Sequence, residues 1–170
     1  PMVPHGVWTV FAPSYEPFAL AAVPVAAALL AGNTVVLKTA EETPWSARVP
    51  ADMFRASGIP GGAFNLLCGA PEDMGDALFD DARVAGSSYA GARGAGEKLR
   101  NIMQASHPAR PCVTALNATA AYVVAPHADL DTAAHRIAVA AFGLGDERAH
   151  MPTHLFAHED IADALVARLV

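Results

Sequence analysis

The sequence is poor in several things at once, and each shortage removes a class of function. Only 16% of its residues are charged and 7% are aromatic, against 53% that are hydrophobic, which excludes a disordered chain and fits a well-packed one. The 11 Lys and Arg against 17 Asp and Glu give a net charge of −6, and no block of basic residues offers a footprint for nucleic acid or an anionic membrane. Two cysteines, Cys68 and Cys112, form neither a CxxC pair nor a zinc-ligand pattern. With no signal peptide in view, the chain is read as cytoplasmic and reduced. The longest apolar run, residues 18–31, is too short to span a bilayer comfortably and contains Pro24, so it reads as a buried helix.

What is present is an alternation of strand and helix. Residues 6–11 (GVWTVF) form a β-branched and aromatic run, and residues 17–31 form an Ala/Leu-rich segment that stops at Gly32-Asn33. TVVLK at 34–38 is the nearly continuous apolar strand of a parallel sheet buried on both faces, and Thr43-Pro44 opens a helix ending at Ser57-Gly58. Residues 64–67, 74–79, 84–89 and 95–105 continue the rhythm. The fold class expected is α/β: an open, mostly parallel, Rossmann-like sheet with helices on both faces, followed by a shorter α/β segment. After Pro111 the rhythm changes. Residues 113–124 read as one interrupted strand or two short ones, 130–142 as a helix, 153–157 as a strand and 161–170 as a helix, so a boundary is placed at about Pro111, giving domains 1–110 and 111–170.

Three stretches in this order carry a family resemblance: GVWTVFAPSYEPF, AGNTVVLKTAEETP and ASGIPGGAFNLLCGAPEDMGDAL. Together with the glycine turn YAGARGAG and the later HADLDTAAHRIAVAAFG and HEDIADALVARLV, they resemble the cofactor-binding half of the NAD(P)-dependent aldehyde dehydrogenase superfamily and the opening of its catalytic domain. The resemblance implies a nicotinamide cofactor, NAD or NADP, held weakly. Lys38 and Glu41 match the positions that hydrogen-bond the adenosine ribose, a cation donor and a carboxylate acceptor just past a parallel strand. Without that resemblance they would read as a solvated charge pair at a helix start. Gly69 matches a glycine near the adenine, and Gly91 opens the turn that brings the pyrophosphate to a helix N-terminus. The family usually follows that glycine with serine. Here the residue is Ala92, and Arg93 with the extra glycines Gly94 and Gly96 is expected to compensate through charge and exposed backbone N–H groups.

The catalytic side is replaced throughout. In the family a cysteine attacks the aldehyde, an asparagine helps to hold the oxyanion and a glutamate activates water. The matching positions here are Ala149, Tyr15 and Ala115, so no catalytic residue is assigned. Cys68 and Cys112 lack a sequence-adjacent base and are expected to be buried small hydrophobes. Glu147 is expected to be a solvated loop carboxylate. His150, His154 and His158 recur every fourth residue, but Pro152 breaks any helix through them. In a strand neighbours would lie about 13 Å apart, too far to share an ion, so no metal is expected.

The resemblance therefore points to a catalytically degenerate module with a structural or regulatory role, whose partner is the remainder of a longer polypeptide or a second aldehyde dehydrogenase-like subunit. It is similar in type to the extra, nucleophile-free domains attached to some bifunctional proline-catabolism enzymes. An NAD(P)-binding fragment of an active dehydrogenase and a nucleotide-sensing module are the alternatives. The apolar positions Leu130, Ile137, Val139, Phe142, Ile161, Leu165, Val166 and Leu169 recur at helical spacing and are expected to need cover from another surface.

Overall fold

A computed structural model describes residues 3–117, 120–143 and 151–170. The first unit, Pro1–Leu116, is a five-stranded parallel sheet in the order β3-β2-β1-β4-β5, built from β1 (Val7–Phe11), β2 (Thr34–Lys38), β3 (Phe64–Leu67), β4 (Val84–Gly91) and β5 (Cys112–Leu116). Its crossovers are the helices α1 (Ala19–Leu30), α2 (Pro44–Ala56), α3 (Pro71–Asp80) and α4 (Arg93–Ala105). Chain order moves outward from β1 to β3, then returns to the other side of β1 for β4 and β5. That reversal places the switch point between β1 and β4, where sheets of this kind bind ligands at the strands' carboxyl ends.

Strand alternation divides the core in two. On the face covered by α1 and α2, Val10, Val35, Leu37 and Phe64 pack with Ala21, Val25, Ala47 and Ala51. On the α3 and α4 face, Phe11 packs edge-on against Phe79, ring centroids 4.8 Å apart, among Val84, Leu99 and Met103. Within the sheet the Thr9 and Ser87 hydroxyls hydrogen-bond to each other at 2.5 Å, so two buried polar groups are satisfied by one contact.

The second unit, Asn117–Val170, has a two-stranded parallel sheet of β6 (Ala120–Val124) and β7 (Pro152–Ala157), with helices α5 (Leu130–Phe142) and α6 (Glu159–Leu169). Asp129 caps α5 by accepting from the amides of Asp131 and Thr132, and these bonds together with that from the Thr132 hydroxyl hold its carboxyl below the ordinary range. Ile137 and Leu165 are buried against Val124 and Ala134, with Leu130, Ile161 and Leu169 packed around them. That corrects part of the expectation for this helix pair. Five of the eight apolar positions find their cover inside the unit, whereas Val139, Phe142 and Val166 are exposed.

Segment 113–124 is two strands, and the first of them, β5, pairs with β4 from Ser87↔Cys112 to Gly91↔Leu116. Pairing with a neighbour that lies far back in the chain decided the matter, and the division falls after Leu116.

One side chain fastens the entry to the sheet. Asn33, buried after the end of α1, accepts from the amides of His5 at 2.8 Å and Gly6 at 3.1 Å, and donates to the Ala28 carbonyl at 3.2 Å. Replacing it by alanine removes the acceptor of two amides at the point where α1, β1 and β2 meet, while the Ala28 carbonyl keeps the backbone amide of residue 33 at 3.0 Å. Asn33→Ala is expected to cost about 2–3 kcal/mol of stability in urea unfolding, and a loss below about 0.5 kcal/mol would show that the staple is dispensable.

Candidate functional site

Parallel pairing aligns one row of residues across the carboxyl end of the sheet: Leu67, Lys38, Phe11, Tyr89 and Thr114 on β3, β2, β1, β4 and β5. Residues paired in this way point to one face, and here it is the face of α3 and α4. Lys38 is only 7% exposed, and its ammonium makes no ion pair or hydrogen bond among the described residues. The residue as a whole is buried, yet its Nζ is not among the buried polar atoms that lack a partner, so the sheet covers the stem at this edge rather than stranding the charge. Glu41 is exposed three residues further on, in the turn before α2, and is not paired with Lys38. The alternative of a solvated charge pair therefore does not describe Lys38.

The other expected cofactor positions converge on the same edge. Gly69 lies two residues past the end of β3 at φ 155°, with the methyl of Met74 only 2.3 Å from where a Cβ would stand. Gly91 closes β4 at φ 144°, a conformation that favours glycine, and turns the chain into α4. Arg93 occupies the first position of that helix. Its guanidinium reaches Glu97 at 3.4 Å in an exposed i,i+4 pair, which leaves a weakly held and reorientable charge. Tyr89, which the sequence reading passed over, supplies the hydroxyl nearest the turn: it donates to the Ala92 carbonyl at 3.2 Å. Burial raises its pKa above the ordinary phenol value, so it is a neutral donor near pH 7.

The positions that resemble the catalytic ones lie elsewhere. Ala115 pairs with Ala90, and both belong to the opposite face, the side of α1. There an open, mainly apolar groove of about 950 Å³ runs between α1 and the sheet, bordered by Trp8, Val23, Pro24, Ser88, Val113 and Ala115. No carboxylate or thiol is among the described residues that line it. Tyr15 is half-buried in the connection from β1 to α1, and its neighbour Glu16 has a positive φ of 46°, a conformation that costs a side-chain-bearing residue about 1 kcal/mol or more. Ala149, Glu147 and His150 lie outside the described residues.

The cysteines divide. Cys112 is half-buried beside the Phe11 and Leu99 cluster, and burial raises its pKa while the charge of Arg100 opposes the rise. Cys68, expected to be buried, is exposed, because it follows the last residue of an edge strand and has no helix above it. His154 stands on β7 beside the ring of Phe156, and His158 caps α6, its Nδ1 accepting from the amide of Asp160 at 3.3 Å. The segment is extended over Pro152–Ala157, as expected. Among the described residues no three His, Cys, Asp or Glu side chains are grouped to hold a metal ion, and no helix is long and apolar enough to cross a membrane.

Comparison with known proteins matches this geometry to one family. The profile of the aldehyde dehydrogenase family matches residues 2–170. A 1-pyrroline-5-carboxylate dehydrogenase of Anoxybacillus flavithermus is 32% identical over 172 residues, a match that covers 99% of this chain and 33% of the relative. Among solved structures, an NAD-dependent aldehyde dehydrogenase from Sinorhizobium meliloti superposes with a TM-score of 0.91 at 32% identity, covering 98% of this chain and 33% of that one. A proline utilization A protein from Bdellovibrio bacteriovorus gives 0.89 at 29% identity, covering 97% and 18%. The chain thus spans about a third of the length of the curated relatives it matches. It is a member of the aldehyde dehydrogenase family.

Proposed function

We propose that this chain is a catalytically degenerate aldehyde dehydrogenase-type module that serves a structural or regulatory role within a longer polypeptide or assembly. The observation that carries the reading is Ala115. It occupies the position that resembles the family's general base, yet it forms part of an apolar groove wall with no carboxylate or thiol beside it among the described residues. Tyr15 and Ala149 make the same exchange at the positions resembling the oxyanion donor and the nucleophile. Losing the covalent nucleophile removes the step that every other group serves, so remaining groups that bind and orient a substrate have no reaction to assist. The similarity to 1-pyrroline-5-carboxylate dehydrogenases and to proline utilization A proteins supports a setting in proline catabolism.

A second reading, that the module binds a dinucleotide without reacting it, is favoured by Lys38. A lysine whose stem is covered at the strand end and whose ammonium has no protein partner fits a ligand whose ribose hydroxyls would provide one, with Glu41 accepting from the same sugar and the glycine turn at Gly91 admitting a diphosphate. Bound in this way, a nicotinamide cofactor would supply hydride-transfer chemistry. The chain's own residues would hold its adenosine half and carry no proton for it.

Two outcomes are expected. Purified chain supplied with NAD and short, long or semialdehyde substrates should give no aldehyde-dependent NADH signal, and Ala149→Cys alone should not restore one. Saturable turnover that survives Cys68→Ala and Cys112→Ala would overturn the degenerate reading. In calorimetric titration, AMP should compete nearly as well as NAD, and Lys38→Met should weaken both by about tenfold through loss of charge-assisted hydrogen bonds. A Lys38→Met variant that binds AMP unchanged would remove the ribose site.

A further inference from the structure

One buried hydroxyl of the first unit has no partner. The Oγ1 of Thr43 is closed off from solvent, yet no group among the described residues hydrogen-bonds to it. Buried polar atoms of folded proteins are paired as a rule, so an orphan of this kind calls for a reason. Thr43 stands where a threonine ordinarily finds a partner. It is the residue before α2, the capping position, and Pro44 follows it at the start of the helix with no N–H to satisfy. The next two amides, of Trp45 and Ser46, are those that a capping hydroxyl serves, and neither has a carbonyl acceptor within the helix. No side-chain bond joins Thr43 to either of them.

The backbone supplies the reason. A capping residue normally has extended dihedral angles, whereas Thr43 has φ −131° and ψ 46°. The ψ bond of Thr43 is the joint between α2 and the turn that precedes it. That turn runs Ala40-Glu41-Glu42-Thr43 and is closed by a long bond, 3.4 Å from the Thr43 amide to the Ala40 carbonyl. Its two central residues are exposed carboxylates. Rotation of Thr43 toward an extended ψ changes where its hydroxyl lies relative to the helix amides and, in the same movement, where the turn holds Glu41. Cap and carboxylate move together.

We propose that Thr43 is the hinge and positioning residue of the Glu41 turn, with an uncapped state, the one described above, and a capped state in which Oγ1 accepts from the Trp45 or Ser46 amide and Glu41 is held for a nucleoside ligand. This rests on the reading of Glu41 as a ribose acceptor. Thr43 itself touches no ligand. A ligand that engages Glu41 better in the capped state draws the turn into it, by as much as its affinities for the two states differ.

The test measures AMP affinity by calorimetry, and hydrogen exchange at the Trp45 and Ser46 amides by NMR, on the 170-residue chain and on two variants. Thr43→Val keeps the branched shape and removes the hydroxyl; Thr43→Ser keeps the hydroxyl. In the wild-type chain AMP should slow exchange at one or both amides. Thr43→Val should bind AMP about fivefold more weakly, the worth of one capping bond, and show no such slowing, whereas Thr43→Ser should retain both. Without ligand, Thr43→Val should melt no earlier than wild type, because its hydroxyl has no bond to lose. Earlier melting of unliganded Thr43→Val overturns the uncapped state. AMP affinity unchanged in Thr43→Val overturns the hinge and leaves the ribose reading standing. Failure of the wild-type chain to bind AMP overturns the ribose reading itself and this inference with it.

Discussion

Parallel strand pairing is the constraint on which the rest of the first unit depends. Parallel neighbours cannot be joined by a tight turn, so every strand must be followed by a crossover, and every strand exit falls on one edge of the sheet. Four of the five exits gather what the sequence scatters: Lys38 and Glu41 at the end of β2 and just past it, Gly69 past β3, Tyr89 to Arg93 at the end of β4 and Leu116 at the end of β5. The register brings the strand ends to one edge, and the reversal of chain order at β1 opens the crevice beside them.

The pleat then separates two functions that the family resemblance treats as one. Lys38 and Tyr89 lie on the α3 and α4 face, whereas Ala90 and Ala115 lie on the α1 face. A sheet stands between position 115 and the groups around Lys38, so a change of side chain at one leaves the other in place.

The apolar groove follows from the same geometry. α1 carries no charged residue in its 12 positions and exposes Val23 and Leu30, while β4 and β5 present Ser88, Ala90, Val113 and Ala115 beside it. Sheets of this class are normally covered on both faces, and α4 covers only the other one. The second unit shows the same economy of cover, with its core closed by α5 and α6 and an exposed sheet face carrying Val123 and Phe156.

Much of this could be read from the sequence because it depends on local rules. Period, proline and glycine punctuation and the TVVLK run located the sheet, its crossovers and the α5 helix, since each follows from backbone preference and hydrophobic spacing. Pairing over long separations decided the remainder. Only tertiary structure assigned residues 112–116 to the first sheet, because β5 finds its partner β4 across a helix and not beside it in the chain. Likewise, Cys68 is exposed because β3 is an edge strand, and Leu165 is buried because α5 and α6 cover each other, neither of which spacing could foretell. The sequence determined which residues could bind or react; the register determined which of them meet. Lys38 shows as a covered residue only once the sheet packs over its stem, and Tyr89 reads as a core aromatic until two glycines make room for its ring and its hydroxyl reaches the Ala92 carbonyl.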